Sequence, residues 1–309
     1  MEGLRYAVVG SGAIGCYYGG RLAEHGADVH FLFHSDYEAV CANGLTVKSV
    51  GGDFKIEKPQ AYKDVRQMPK ADVVIVGLKT TRQELIKELV APLVHSQTIV
   101  LLIQNGIGVE ADAAEQLPEG TQIAAGLAFI CSTKVAPGVV NHTCYGSLGV
   151  APYSVRDDER LGKVISDFKE SEVEVTKVDY LTARWRKAMW NMPFNGLSVA
   201  LMAQTDEMLG DAAGERIVRD LMKEVVMAAQ ALGAVKVDEA FAEKMIATTR
   251  VMAPYSPSMR VDYDNKREME LKYLYEKPIE MAERAGVQMP KMRMLLAQLQ
   301  FQQNRYLRK

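Results

Sequence analysis

The fold is decided by one stretch, Tyr6-Ala7-Val8-Val9-Gly10-Ser11-Gly12-Ala13-Ile14-Gly15, in which a short apolar strand runs into Gly-x-Gly-x-x-Gly and then into a helical pattern. Gly10 permits a tight turn, Gly12 allows the close approach of a pyrophosphate, and Gly15 lets the helix pack against the sheet. A helix beginning near Ala13 offers main-chain N–H groups and the positive end of its dipole to a phosphate. The stretch therefore predicts a dinucleotide-binding βαβ unit. A βαβ turn without a ligand is the alternative.

The elements that follow alternate between strand and helix up to about residue 180. From residue 182 onward the strand signals stop and helical periodicity takes over. We therefore predict an α/β fold: a Rossmann-type, doubly wound parallel sheet over residues 1–180 and an all-helical domain over residues 181–309. The predicted strands are 29–33, 72–79, 98–103, 122–129, 147–150 and 173–178. The predicted helices are 14–25, 82–93 and 161–168, and the predicted turns lie at 51–52 and 137–138.

Composition limits the classes of partner. The chain has 309 residues, 48% of them hydrophobic, and a formal net charge of −2 with both signs interspersed, which gives no electrostatic case for nucleic acid or an anionic membrane. Its four cysteines lack Cys-x-x-Cys spacing, so we expect reduced thiols in a cytoplasmic protein and no metal site. No apolar run approaches the ~20 residues of a membrane helix, and the sequence enters its first strand with no room for a signal peptide.

Two polar residues come shortly after predicted strands. Lys79 ends the run Asp72–Lys79, and Asn105 follows the strand 98–103. Ligands of open α/β sheets lie outside the carboxyl ends of the strands. We therefore expect both side chains on the same edge of the sheet as the glycine loop.

A polar stripe opens the helical half. Lys187, Asn191 and Asn195 are spaced i, i+4, i+8, so one helix face presents an ammonium group and two amides. Pro193 should kink this helix and leave main-chain groups exposed towards a cleft. Two tryptophans and a phenylalanine are interleaved with the stripe and argue against full exposure. A lysine held partly dry has a lowered pKa and can donate a proton near neutral pH; a solvated polar stripe is the alternative.

The chain resembles the ketopantoate reductases (2-dehydropantoate 2-reductases), which couple a Rossmann domain to a helical C-terminal domain. The resemblance covers essentially the whole chain. It rests on the following residues and motifs in this order: Gly10-Ser11-Gly12-Ala13-Ile14-Gly15, Lys79, Gln104-Asn105-Gly106-Ile107-Gly108, Pro137-Gly138-Val139-Val140-Asn141-His142, Trp185-Arg186-Lys187 with Asn191 and Asn195, Ser258-Met259 followed by Asp262, and Glu270.

The resemblance implies a role for each matching residue. Lys187 corresponds to the general acid, which protonates the alkoxide that develops as hydride reaches the keto carbon. The implied substrate contacts are Asn105, Asn191, Asn195, Ser258 and Glu270. The implied cofactor contacts are Gly10, Ser11, Gly12, Ala13, Ile14, Gly15, Lys79, Asn105, Ser132 and Glu270. A surface glutamate is the alternative for Glu270. Glu224 falls on another acidic position of the family, but beside Lys223 in mid-helix we expect it to be structural.

The sequence departs from the family pattern at two places. The family commonly has an arginine for the 2′-phosphate of NADP at the end of the second strand, where this chain has Phe33-His34-Ser35-Asp36. We favour NADP, with NAD as the alternative, because Asp36 falls beyond the strand end. After Glu270, many relatives have an acidic residue and an Asn-Gly pair, but this chain continues with Leu271–Glu276. This second departure leaves the identity of the substrate open.

Three functions follow from these observations. The first is the NADPH-dependent reduction of ketopantoate to pantoate, a step towards pantothenate. The second is the reduction of another 2-oxo acid, and the third is a nucleotide-binding protein without catalysis. A pure binding module has no need of a positioned proton donor, which argues against the third. The Met-rich helical faces leave the oligomeric state open, with a homodimer as one option.

Overall fold

A computed structural model describes residues 3–307, which form two compact units. The first unit comprises the residues up to 104 together with 109–180, and the second comprises 105–108 together with the residues from 181 onward. Within the described chain, no helix combines the length and apolar character needed to cross a membrane.

The first unit alternates strands and helices. Its elements are β1 Arg5–Val9, α1 Ala13–Glu24, β2 Asp28–Leu32, α2 Tyr37–Asn43, β3 Leu45–Ser49, β4 Phe54–Ile56, β5 Gln60–Tyr62, β6 Val73–Val76, α3 Ile86–Leu89, β7 Ile99–Leu102, α4 Val109–Ala114, β8 Gln122–Ala136, β9 Val139–Pro152, α5 Asp158–Glu170 and β10 Val175–Lys177.

Helices are the only regular secondary structure among the described residues of the second unit, as predicted. It consists of α6 Tyr180–Ala200, whose first residue belongs to the first unit, α7 Thr205–Gly210, α8 Ala212–Ala231, α9 Glu239–Arg250, α10 Ser258–Asp264, a π-helical turn Lys272–Glu276, α11 Lys277–Arg284 and α12 Pro290–Leu307.

Six neighbouring parallel strands run from one edge of the sheet in the order β5-β2-β1-β6-β7-β8. This is the 3-2-1-4-5-6 order of a dinucleotide-binding fold. Tyr6 to Val9 of β1 are fully buried, because helices cover both faces of such a sheet. Tyr6 and Val8 pack into one apolar core and Ala7 and Val9 into another, as the alternation of side chains along a strand requires. The predicted Rossmann-type fold is confirmed.

The sheet is mixed, which corrects the prediction of a parallel sheet. β8 and β9 form a long antiparallel hairpin, and β3 and β4 form a short one. The hairpins turn at the predicted positions, and Gly138 adopts φ +69°, a conformation that glycine tolerates without strain. The β8 and β9 strands are much longer than predicted. The outer residues of β8 are mostly exposed, and the added part of β9 mixes buried and exposed residues, so neither has the apolar run that identifies a buried strand.

The helix predicted over 82–93 is wrong in its extent. The chain instead forms two 3₁₀ segments, Thr80–Leu85 and Ala91–Leu93, with the single turn α3 between them. Arg82 departs from helical geometry with φ −124°, and Pro92 has no N–H with which to continue a helix. Apolar spacing alone does not reveal these interruptions.

Candidate active site

The glycine loop has the geometry that the sequence predicts. Gly10 has φ +89°, and a Cβ there would lie 2.3 Å from the Leu78 nitrogen. A Cβ on Gly15 would lie 2.4 Å from the Gly10 carbonyl oxygen, so α1 approaches the loop as closely as glycine allows. Gly12, by contrast, faces open space, with no atom within 4 Å of a Cβ. Two glycines therefore serve packing, and Gly12 keeps clear the space that a pyrophosphate would occupy.

Neighbouring strand ends hold the loop in place. The Ser11 hydroxyl donates to the Leu32 carbonyl at the end of β2 (2.8 Å), and the Gln104 amide donates to the Leu78 carbonyl (3.0 Å). α1 begins directly after Gly12, and no side chain caps its N-terminus. Its first N–H groups thus remain available to an anion. Lys79 is exposed one residue beyond Leu78.

Asp36, the acidic residue near the end of β2, is used inside the protein. Its side chain is 5% exposed and accepts hydrogen bonds from the Lys134 ammonium (2.8 Å), the Gly138 N–H (3.1 Å) and the Ser35 hydroxyl (3.0 Å). Burial alone would raise the pKa of Asp36, but these hydrogen bonds outweigh it and hold the pKa below its ordinary value. Asp36 thus anchors the β8–β9 hairpin. Next to it, His34 and Ser35 are exposed.

Ser132 lies on β8, opposite His142 of β9. Its hydroxyl oxygen is buried and has no hydrogen-bond partner among the described residues. A buried polar atom without a partner is costly, so such an atom calls for an explanation. A ligand group that supplies the missing hydrogen bond is one explanation, and it agrees with the cofactor position that the resemblance implies for Ser132.

Lys187 of α6 lies in surroundings that favour its neutral form. The residue is half-buried, and desolvation together with the nearby Arg184 charge lowers its pKa from 10.5 to about 7, while the Glu270 carboxylate acts in the opposite direction. Arg184 is buried one helical turn before Lys187. An ammonium group with this pKa can give up its proton at neutral pH and take it back from solvent.

Three of the predicted substrate contacts come together. The Asn195 side-chain oxygen accepts hydrogen bonds from the Met259 N–H (3.0 Å) and, at 3.4 Å, from the Ser258 hydroxyl. The Asn195 amide in turn donates to the Asn191 oxygen at 3.4 Å. Asn195 is buried and Asn191 is half-buried, so the stripe that contains Lys187 is not a solvated surface.

The remaining acidic and amide residues take different positions. Glu270 is 8% exposed just before the π-helical turn and is therefore not a surface glutamate. Asn105 follows β7 in sequence, but its contacts group it with the helical unit. Both carboxylate oxygens of Glu224 accept from the N–H groups of Lys291 and Met292 at the start of α12 (both 2.9 Å), which gives Glu224 the structural role expected of it.

Pro193 does not end α6, which runs through it from Tyr180 to Ala200 with Met192 and Pro193 buried. The main chain expected to be exposed here is covered, since Met189 is also buried, and the kink stays a prediction. The Met192 carbonyl accepts a hydrogen bond from the Tyr275 hydroxyl (2.7 Å).

Sequence reasoning overlooked three residues that shape this geometry: Arg184, Gln104 and Tyr275. Gln104 belongs to the quoted Gln-Asn-Gly motif, so a polar side chain at a strand end was the available signal. Arg184 precedes Lys187 by one turn, and this spacing was also visible. Tyr275 gave no signal, because its contact with α6 spans more than 80 residues of sequence.

The two units present complementary chemistry. The first has a helix N-terminus, an open glycine position and an unpartnered buried hydroxyl, all suited to a dinucleotide. The second has a lysine with a near-neutral pKa on the same helix as two amides, one of which contacts a hydroxyl, and this set suits a small polar anion. No group of three or more His, Cys, Asp or Glu side chains within residues 3–307 is arranged to hold a metal.

Comparisons with known proteins agree with this chemistry. The family model described as "Ketopantoate reductase PanE/ApbA" matches residues 6–154, and that described as "Ketopantoate reductase PanE/ApbA C terminal" matches residues 179–303. A 2-dehydropantoate 2-reductase of Nostoc sp. is 41% identical over 307 residues, which cover 97% of this chain and 96% of that protein.

Solved structures give the same result. The 2-dehydropantoate 2-reductase from Geobacter metallireducens GS-15 has a TM-score of 0.92 at 37% identity, covering 96% of this chain and 99% of its own. The enzyme of that name from Methylococcus capsulatus has a TM-score of 0.89 at 32% identity, covering 98% of each chain. The fold, the glycine loop and these comparisons show that the chain belongs to the ketopantoate reductase family.

Proposed function

We propose that this protein reduces 2-dehydropantoate (ketopantoate) to pantoate with NADPH. The observation that carries the proposal is Lys187, a lysine whose pKa lies near 7 and which shares α6 with two amides, one of them in contact with the Ser258 hydroxyl. The 41% identical relative named 2-dehydropantoate 2-reductase supports the substrate. Pantoate is a precursor of pantothenate, and we place the reaction in the cytoplasm.

The reaction balances as follows: 2-oxo acid, NADPH and a proton give 2-hydroxy acid and NADP⁺. A bound nicotinamide supplies the hydride. The Lys187 ammonium stabilises the negative charge that develops on the keto oxygen and donates its proton from Nζ to that oxygen. The side chains of Asn191, Asn195 and Ser258 bind the substrate and orient its keto group.

The residues present fit a dinucleotide. Gly12 leaves room for the pyrophosphate, the first turn of α1 offers N–H groups to it, and the Ser132 hydroxyl lacks a partner. Lys79 and Glu270 complete the proposed cofactor contacts, and Asn105 the contacts shared with the substrate. These assignments agree with the family resemblance.

The surroundings of β2 favour NADP over NAD. A carboxylate at the end of this strand binds the ribose hydroxyls of NAD and repels a 2′-phosphate. Asp36 is engaged with Lys134 and the Gly138 N–H, so its carboxylate is not offered to the ribose. The exposed residues His34 and Ser35 leave space for the phosphate.

Steady-state oxidation of NADPH tests the proposal. Ketopantoate is supplied with NADPH and with NADH, and other small 2-oxo acids serve as comparison substrates. We expect the highest kcat/KM for ketopantoate with NADPH. Turnover of another 2-oxo acid with little turnover of ketopantoate would overturn the substrate assignment, and cofactor binding without any turnover would favour the non-catalytic alternative.

A further inference from the structure

The Tyr275 side chain is fully buried in the helical unit and reaches α6 through its hydroxyl. The hydroxyl donates to the Met192 carbonyl at 2.7 Å. Burial raises the pKa of Tyr275, and a hydrogen bond from the Gly196 N–H to the Tyr275 hydroxyl oxygen acts in the opposite direction. Tyr275 thus contacts two main-chain groups four residues apart on one helix.

In a regular α-helix the N–H of residue 196 donates to the carbonyl of residue 192, so these two groups are partners within the helix. A side chain that inserts at such a point is a known cause of local helix distortion. Pro193 adds to this, because it has no N–H to offer to the Met189 carbonyl. A Cβ on residue 196 would lie 2.7 Å from the Tyr275 hydroxyl oxygen and 2.6 Å from Leu295 Cδ2. The close approach of Tyr275 to α6 therefore depends on glycine at this position.

The contact with Tyr275 falls between the candidate polar residues of α6. Lys187 and Asn191 precede Met192, whereas Asn195 lies on the far side of that carbonyl, next to Gly196. Asn195 also carries the link to α10, through the Met259 N–H and the Ser258 hydroxyl. The Tyr275 hydroxyl therefore holds α6 at a point between Lys187 and Asn195. Asn195 is the residue that contacts Ser258.

The same π-helical turn, Lys272–Glu276, also contacts the segment that follows the candidate residue Asn105. The Tyr273 carbonyl accepts a hydrogen bond from the Ile107 N–H (2.9 Å). Gly106 has φ +92°, and a Cβ there would lie 2.6 Å from the Tyr273 Cβ, so backbone and turn are in close contact. Asn105 directly precedes this contact, and Glu270 lies just before the turn. π-Helical turns are rare and occur frequently at functional sites.

We propose that Tyr275 is a positioning residue, which sets the distance between Lys187 and the Asn195–Ser258 pair by holding the Met192 carbonyl of α6 with its hydroxyl and packing against Gly196. The inference rests on the proposed function of these residues. Without the hydroxyl, the helical unit loses this hold on α6, and Asn195 moves relative to Lys187. The substrate then loses its fit at one end, whereas the dinucleotide contacts of the first unit are untouched.

The test compares Tyr275→Phe with the wild-type protein. We expect KM for ketopantoate to rise about tenfold, because displacements near 1 Å cost one to two orders of magnitude in well-oriented sites. The Kd for NADPH, measured by quenching of protein fluorescence, should stay within about twofold. The pH at which kcat/KM falls should stay where it is in the wild type, because Arg184 and Glu270, the charges that shift the pKa of Lys187, are unchanged. Gly196→Ala pushes the hydroxyl away and should give the same pattern.

Tyr306→Phe is the matched control, because its hydroxyl also donates to a main-chain carbonyl of the helical unit, that of Arg267 (2.8 Å). We expect this variant to keep the wild-type KM. A folded Tyr275→Phe protein with unchanged KM would overturn the inference, and so would KM changes of equal size in Tyr275→Phe and Tyr306→Phe. A wild-type protein that reduces no 2-oxo acid would instead overturn the proposed function, so the two failures are distinguishable.

Discussion

Arg184 and Lys187 lie one turn apart on α6, and the buried guanidinium charge of Arg184 contributes to the low pKa of Lys187. Desolvation is the larger cause. The Glu270 carboxylate acts in the opposite direction, because a negative charge favours the ammonium form. One charged neighbour of Lys187 therefore lowers its pKa and the other raises it.

The pH dependence of the reduction follows from these charges. If Lys187 is the proton donor, kcat/KM should fall as the pH rises through about 7, because this constant reports the pKa values of the free enzyme. Arg184→Gln removes a charge that lowers the pKa and should move this fall to higher pH. Glu270→Gln removes a charge that raises it and should move the fall to lower pH. The measurement is kcat/KM as a function of pH for the wild type and the two variants. Shifts of both variants in the same direction would contradict the role of Lys187 as the group that titrates.

Gly12→Ala should separate cofactor binding from folding. Gly12 has an ordinary φ of −85° and open space where a Cβ would lie, so the variant should keep the wild-type Tm. The added methyl group enters the space assigned to the pyrophosphate, and we expect the Kd for NADPH to rise about tenfold or more. Fluorescence titration measures this constant.

Gly15→Ala is the contrasting variant, because its Cβ would meet the Gly10 carbonyl at 2.4 Å. It should lower the Tm as well as the affinity for NADPH. Unchanged NADPH binding in a folded Gly12→Ala protein would place the pyrophosphate elsewhere.

Asp36→Asn tests whether this carboxylate belongs to the protein interior or to the cofactor. The variant keeps the shape but loses the ion pair with Lys134, and we expect a loss of about 2 kcal/mol in the free energy of unfolding, typical of hydrogen bonds to charged groups. The pKa of Asp36 is lowered by folding, so its stabilising effect is present at neutral pH and is lost on acidification. The difference between the two proteins should shrink at low pH.

The cofactor preference provides the second measurement on Asp36→Asn. The ratio of the Kd values for NADPH and NADH should be the same in the variant as in the wild type. A large gain in NADPH affinity on removal of this charge would show that Asp36 does face the ribose.

Glu224→Gln should affect stability alone. Each carboxylate oxygen of Glu224 holds one N–H at the start of α12, where the helix dipole also favours a negative charge. An amide retains only one acceptor oxygen, so we expect a loss of about 1–3 kcal/mol in urea unfolding. The kinetic constants for reduction should be those of the wild type, and a fall in kcat in a fully folded variant would give Glu224 a catalytic role.

The sequence was sufficient for the parts of the molecule that depend on local pattern. The three glycines predicted the loop, because Gly10 and Gly15 need a backbone conformation or a close approach that other residues do not tolerate, and Gly12 leaves open space beside them. The i, i+4, i+8 spacing predicted that Lys187, Asn191 and Asn195 share a helix face. The roles of these residues in catalysis and binding stay predictions.

Other features depend on contacts between distant segments. The pairing of Lys134 with Asp36 depends on the length of β8. The outer residues of this strand are mostly exposed, so no apolar run in the sequence predicts that the strand extends to Lys134. The hydrogen bond from the Tyr275 hydroxyl to the Met192 carbonyl joins segments 83 residues apart. No local propensity encodes either contact, so only the folded structure reveals them.

Formation of pantoate, measured by chromatography and mass spectrometry after incubation with ketopantoate and NADPH, tests the central claim most directly. The account predicts one pantoate for each NADPH oxidised by the wild-type protein. Lys187→Ala should form pantoate about 10²-fold more slowly or worse, the loss typical of a missing general acid, with NADPH affinity unchanged. Lys244→Ala, which removes an exposed lysine of α9, should act as the wild type. Near wild-type pantoate formation by Lys187→Ala would contradict the role of this residue, and NADPH oxidation without pantoate would contradict the proposed reaction.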